Sequence, residues 1–212
     1  PFWVGVVASL LVGALFGAAV ELSVIRRLFD APRVVVLVAT VGVAQLSQAI
    51  VASYPEIERQ ARYPVAVGAE WRDVSGVDIS GAQLTILIVV PMVAAALAWL
   101  LNHTTFGRAV AASADNRPLA RLSGVSPKVV STFVWVVAGV VSTLAIILLS
   151  GRSGNAAGID SLGPLTLGRA MVAATIAGMR SFPRALAAGA VLGVGESLLR
   201  FNVLDEPGLI DF

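Results

Sequence analysis

Cysteine is absent from this 212-residue chain and histidine occurs once. Neither a disulfide, nor a thiolate metal site, nor a multi-histidine centre can be built from such a composition. Charge is scarce too: Asp, Glu, Lys and Arg make up 13% of the residues, about half the usual globular share. The net charge is only +2 and no basic tract occurs, which argues against nucleic acid as a partner. A Gly-x-x-x-x-Gly-Lys-Ser/Thr loop is also missing, so the chain cannot cradle ATP phosphates by that means.

What is present is apolar. Hydrophobic residues form 57% of the chain and the mean hydropathy is +0.87. A soluble domain of this size exposes too much surface to hide that fraction, so the chain reads as an integral membrane protein. A helix needs about 20 apolar residues to cross the hydrocarbon core. Six segments qualify fully or in part: Phe2–Val20, Val34–Val51, Leu84–Leu101, Val129–Leu149, Leu162–Met179 and Ala185–Leu199. The runs are continuous, with no alternation that would suggest strands. The expected fold is all-α, a polytopic transmembrane bundle of about six spans in a single domain over residues 1–212. The last two spans are short and closely spaced around Arg180-Ser181-Phe182-Pro183-Arg184, where a broken helix is expected. Phe2–Val20 lacks the cationic start and cleavage site of a signal peptide and is taken as a true span. The chain opens on Pro1 and closes on Phe212 soon after a polar patch, so both ends are expected to be cut.

Orientation follows the Lys/Arg distribution. Placing Glu21–Arg33, Asn102–Lys128 and Arg180–Arg184 on one side gives it nine of the fifteen cations; that side is assigned to the cytoplasm. Ser53–Gly81 is then the main external loop, broken by Pro55, Pro64, Gly68, Gly76 and Gly81. It reads as a solvated connector or a docking patch.

Asn102–Lys128 is a polar, cationic island between two apolar runs. It is far longer than a membrane hairpin needs. Thr104 and Thr105 can cap a helix through about Ser113. Pro118 suits the first turn of a second helix, with Asp115 or Asn116 near its cap, and Gly124 suits its exit. Ser126-Pro127 starts the next span in the same way. Residues 102–128 are therefore expected to form helix, turn, helix on the cytoplasmic face.

The run Thr105-Phe106-Gly107-Arg108-Ala109 to Asp115, Ala120 and Gly124 resembles the cytoplasmic loop of ABC transporter permeases of the branched-chain amino acid class. The resemblance continues into Val129–Leu149. It recurs in Glu21 to Pro32, in Ala39-Thr40-Val41-Gly42, in Ala177-Gly178 to Pro183, and in Gly193-Val194-Gly195-Glu196. Where that family has a Gly-Gly-rich turn, this chain has Ala177-Gly178-Met179-Arg180.

The resemblance implies a non-enzymatic permease subunit in the cell (inner or plasma) membrane. It would move branched-chain or related small amino acids by alternating access. It would bind no cofactor itself; ATP and Mg would belong to partner ATPase subunits docked on the loop. A second permease subunit, in a homo- or heterodimer, and an extracytoplasmic substrate-binding protein complete the expected partners. The residues expected at the coupling surface are Thr105, Gly107, Arg108, Ala109, Asp115, Ala120 and Gly124. Arg108 and Asp115 also fit a plain positive-inside anchor and a helix cap, and Gly107 and Gly124 fit a geometric need.

In the second span Thr40, Ser47 and Gln48 fall near one face, with Gly42 and Gln45 close by. Lipid cannot satisfy these polar groups, so they either line the pathway or bond neighbouring helices. Glu196 is placed to pair with Arg200, and Glu21 with Arg26 or Arg27. His103 reads as an interfacial ring. Gly13-x-x-x-Gly17 and Gly189-x-x-x-Gly193 read as close-packing motifs. Two other classes stay open: a secondary transporter or channel, which calls for ionisable groups buried in mid-span, and a non-transporting scaffold, which needs no structured loop.

Overall fold

The computed structural model describes residues 2–29, 31–53, 70–74, 77–153, 164–179 and 181–202. Helix α1 (Phe2–Val20) runs directly into a π-helical turn, Glu21–Ile25. Helix α2 (Arg33–Ala52) follows, then strands β1 (Glu70–Val74) and β2 (Val77–Ser80) and helix α3 (Gly81–His103). Two short helices, α4 (Thr105–Asp115) and α5 (Arg117–Leu122), precede the long α6 (Pro127–Ser153). Helices α7 (Pro164–Ile176) and α8 (Phe182–Asn202) complete the order.

Each of the six expected apolar segments corresponds to a helix. Phe2–Ile25, Gly81–His103, Pro127–Ser150 and Phe182–Leu199 are long and apolar enough to cross a membrane, whereas Val34–Ile50 is shorter and α7 has 13 residues. This is a multi-pass helical membrane protein. Pro91 lies inside α3 and removes one rung of its hydrogen bonds, a loss that membrane helices tolerate by local adjustment. The connector between α2 and α3 holds a small antiparallel hairpin, with Glu70 opposite Ser80, Trp71 opposite Ile79 and Val74 opposite Val77. Most of the remaining connector, the expected external stretch 154–163, and Arg180 lie outside the described residues.

Helices α1 and α6 form the principal packed pair, and their register is antiparallel. Gly13 lies against Gly139 and Thr143, and Gly17 against the Trp135 carbonyl and Gly139. A Cβ on Gly13 would come within 2.9 Å of the Gly139 oxygen, and one on Gly139 within 3.1 Å of the Gly13 carbonyl carbon. Lipid offers no hydrophobic drive between helices, so such backbone contact is what holds them. The second small-residue motif behaves differently. A Cβ on Gly189 would sit 4.0 Å from that of Ala173, and Gly193 has no described neighbour within 4 Å. Among the described residues, the dense packing expected for both motifs is found for the first alone.

Helix α8 packs on α7 and on α3, and α3 also meets α4 and α6. Helix α2 makes no extended contact with another described element. Val34, Leu37, Val38, Val41, Leu46 and Ile50 on it are all exposed.

Candidate coupling surface and pathway helix

Local chemistry shapes α4 and α5 as expected. Thr104 caps α4: its Oγ1 accepts from the Gly107 N–H at 3.1 Å. Asn116 caps α5, accepting from the Leu119 N–H at 3.1 Å. Helix α5 ends in a Schellman pattern, with Gly124 N–H to the Arg121 carbonyl and Val125 N–H to that of Ala120. Gly124 takes φ +80 there, a conformation that favours glycine. The Phe106 ring, 4.1 Å from the Phe133 ring between centroids, holds α4 against α6.

These anchors sort the expected coupling residues. Thr105, Arg108 and Asp115 are exposed, and Ala109 is half-buried. Gly107 and Ala120 are buried and pack inward. Gly107 touches the backbone of Leu101 at the end of α3. Two residues that the sequence reading passed over stand out: Leu119 is 60% and Leu122 86% exposed on α5. Apolar side chains projecting from a polar segment between two spans suit a partner's groove. Their signal lay in the sequence, as leucines in a loop read only for its polar residues.

In α2, Thr40 and Ser47 donate to their own helix, to the Leu37 and Val43 carbonyls, each at 2.8 Å. Thr40, Ser47 and Gln48 are half-buried, while Gly42 is exposed and on the opposite side. Gln48 makes no hydrogen bond with another described residue.

Both of these acids have long-range partners. Glu196 pairs with Arg169 of α7, Nε to Oε1 at 3.0 Å; the side chain of Arg200, its expected partner, lies outside the described residues. A helical hairpin brings Arg169 alongside Glu196, which sequence distance conceals.

Glu21 is fully buried and accepts from the Thr132 hydroxyl of α6 at 2.9 Å, not from Arg26 or Arg27. Its other carboxyl oxygen, Oε1, has no hydrogen-bond partner among the described residues. The π-turn directs Glu21 into the α1–α6 seam instead of toward the surface. Replacing Thr132 with Val strips the carboxyl of that donor and is expected to cost about 2 kcal/mol or more. The double variant Glu21→Leu/Thr132→Val is expected to recover much of the loss, since no buried polar group then lacks a partner. Thermal unfolding of the purified protein checks both; a single variant as stable as the parent refutes the role of the bond.

The turn after α7 repeats the Schellman pattern, with Gly178 N–H to Thr175 O and Met179 N–H to Ala174 O, both 2.9 Å. Gly178 has φ +66 and Met179 φ +53. Met179 is 72% exposed, so its side chain contributes little packing to offset the strained backbone. Met179→Gly is expected to stabilise the protein by about 1 kcal/mol, seen as a raised melting temperature; a lowered one would show that the side chain is needed.

Residues 1–204 match the family model described as branched-chain amino acid transport system / permease component. The chain belongs to this family. It is 26% identical to the high-affinity branched-chain amino acid transport system permease protein LivH of Salmonella typhimurium, covering 92% of this chain and 63% of that protein. Against BraD of Pseudomonas aeruginosa, a permease protein of the same description, identity is 26% over 90% of this chain and 62% of that protein. The probable LivH of Methanocaldococcus jannaschii is also 26% identical, over 93% and 62%. This chain therefore spans just under two thirds of the length of these relatives. No solved structure matches. Within the permease family, the capped α4–α5 pair occupies the place where the sequence resemblance put the cytoplasmic loop.

Proposed function

We propose that the chain is the membrane-spanning part of an ABC importer subunit for branched-chain or related small amino acids, in the inner or plasma membrane. An ATPase docks on α4 and α5 through Arg108, Asp115, Leu119 and Leu122. Thr40, Ser47 and Gln48 of α2 face the pathway, completed by a second permease subunit. An extracytoplasmic binding protein delivers substrate, and ATP and Mg reside in the ATPase. ATP binding shifts the balance between outward-open and inward-open states, because the docked ATPase binds those states unequally. The observation that carries this reading is the rigid, doubly capped helix pair bearing exposed Leu122, in a chain of the permease family.

The test is uptake of leucine by membranes holding the chain with its copurifying subunits. The expected result is uptake that needs ATP and is lost on Leu122→Asp together with the ATPase. A second reading draws on Glu21, a carboxyl wholly buried between α1 and α6 near the end of its span, the kind of ionisable group that proton relays use. Uptake that survives ATP depletion and collapses with a protonophore would establish that reading and overturn the first.

A further inference from the structure

Two attachments hold the connector between α1 and α2. At its start, Glu21 is bonded to Thr132 of α6. At its end, Arg117 of α5 donates through Nη1 to the Phe29 carbonyl at 3.2 Å. The same guanidinium lies 4.6 Å from the Phe29 ring centroid, and that of Arg121, one turn on, lies 5.9 Å from it. One aromatic ring is thus met by two cations of the same short helix, an attraction between cation and ring face.

The chain between Phe29 and α2 is short and partly braced. Leu28 N–H bonds the Ile25 carbonyl and Ala31 N–H that of Leu28, both at 3.0 Å. Val35 N–H bonds the Pro32 carbonyl at 2.9 Å, so Pro32 is tied into the first turn of α2. Its ring fixes its own φ. Elsewhere α2 has no extended contact with a described element. A cavity of about 850 Å³ opens between the connector, the α4–α5 junction and α6, reaching from Phe29 and Pro32 to Ser113 and Trp135. The packing there is loose, and the Arg117–Phe29 contact spans it.

We propose that the coupling helices move α2 directly, with Arg117 gripping Phe29, rather than through α6 alone. Arg117 is a positioning residue: it touches neither substrate nor nucleotide, and it acts by holding the start of the helix that carries Thr40, Ser47 and Gln48. Arg121 reinforces the grip from the same face. This rests on the coupling reading of α4 and α5 given above.

The natural absence of cysteine makes the test clean. A single Gln48→Cys in the otherwise unaltered chain, assembled with its ATPase, is labelled with a maleimide with and without a non-hydrolysable ATP analogue. The labelling rate is expected to change with nucleotide. Adding Arg117→Met or Phe29→Leu is expected to abolish that change and lower uptake about tenfold, within the usual range of coupling between sites. Both are expected to leave the copurified ATPase undiminished, and Arg117→Lys, which keeps a cation and a donor, is expected to restore part of the response. Unchanged labelling response and uptake in Arg117→Met and Phe29→Leu would overturn the proposal. Loss of ATPase from either variant would also overturn it, by placing the pair in the docking surface. Failure of the unaltered chain to hold an ATPase overturns the coupling reading itself.

Discussion

Gly107→Leu is expected to lower uptake about a hundredfold, near the upper end of common coupling effects, and to weaken retention of the ATPase. A Cβ at Gly107 would lie 2.5 Å from both the Cα and the carbonyl carbon of Leu101. Those are backbone atoms at the end of α3, so no rotamer change relieves the overlap. Helix α4 has to lift from α3, and overpacking of this kind costs about 1–3 kcal/mol or more. Arg108, Leu119 and Leu122 would move with it, misaligning the docking surface. Membrane insertion is expected to survive, because the spans are untouched. Arg108→Glu changes charge without moving the helix and is expected to act more mildly. Uptake assays with copurification decide the matter; normal uptake by Gly107→Leu would show that α4 need not sit where it does.

The other large effect concerns the α1–α6 seam. Gly139→Leu is expected to prevent recovery of folded protein, at a cost of at least about 3 kcal/mol. A Cβ there would approach the Gly13 carbonyl group and come within 3.4 Å of Gly17 Cα, and the Gly13 and Gly17 backbones cannot yield without parting the helices. Gly42→Leu is the matched control: it also places Leu for Gly in a membrane helix, but nothing described lies within 4 Å. It is expected to leave stability unchanged. Yield of monodisperse protein in detergent and resistance to protease compare the two. Equal behaviour would mean that the seam is not a principal source of stability.

How far the fold was legible follows from the range of each interaction. Apolar length and helix caps are local properties, so the six helices and the ends of α4 and α5 could be read from Thr104, Asn116, Pro127 and Gly124. Partner choice is not local. Gly13-x-x-x-Gly17 and Gly189-x-x-x-Gly193 look alike, yet among the described residues only the first meets another backbone. The α7–α8 hairpin brings Arg169 to Glu196, a partner that no local spacing suggests. Glu21 and Thr132 lie 111 positions apart, and Phe29 and Arg117 88 apart. No periodicity encodes such pairs. Among the residues expected at the coupling surface, Gly107 and Ala120 were legible as part of the loop, while their inward direction depends on how α4 and α5 settle on α3 and α6.

Pro91 bears on how α3 carries the segment that follows it. The Leu87 carbonyl, which an ordinary residue at position 91 would bond through its amide, loses that partner. Bends in a helix concentrate where a rung is missing. The half of α3 that ends on α4 can therefore tilt against the half that begins at Gly81, which gives the span a point of flexure of its own.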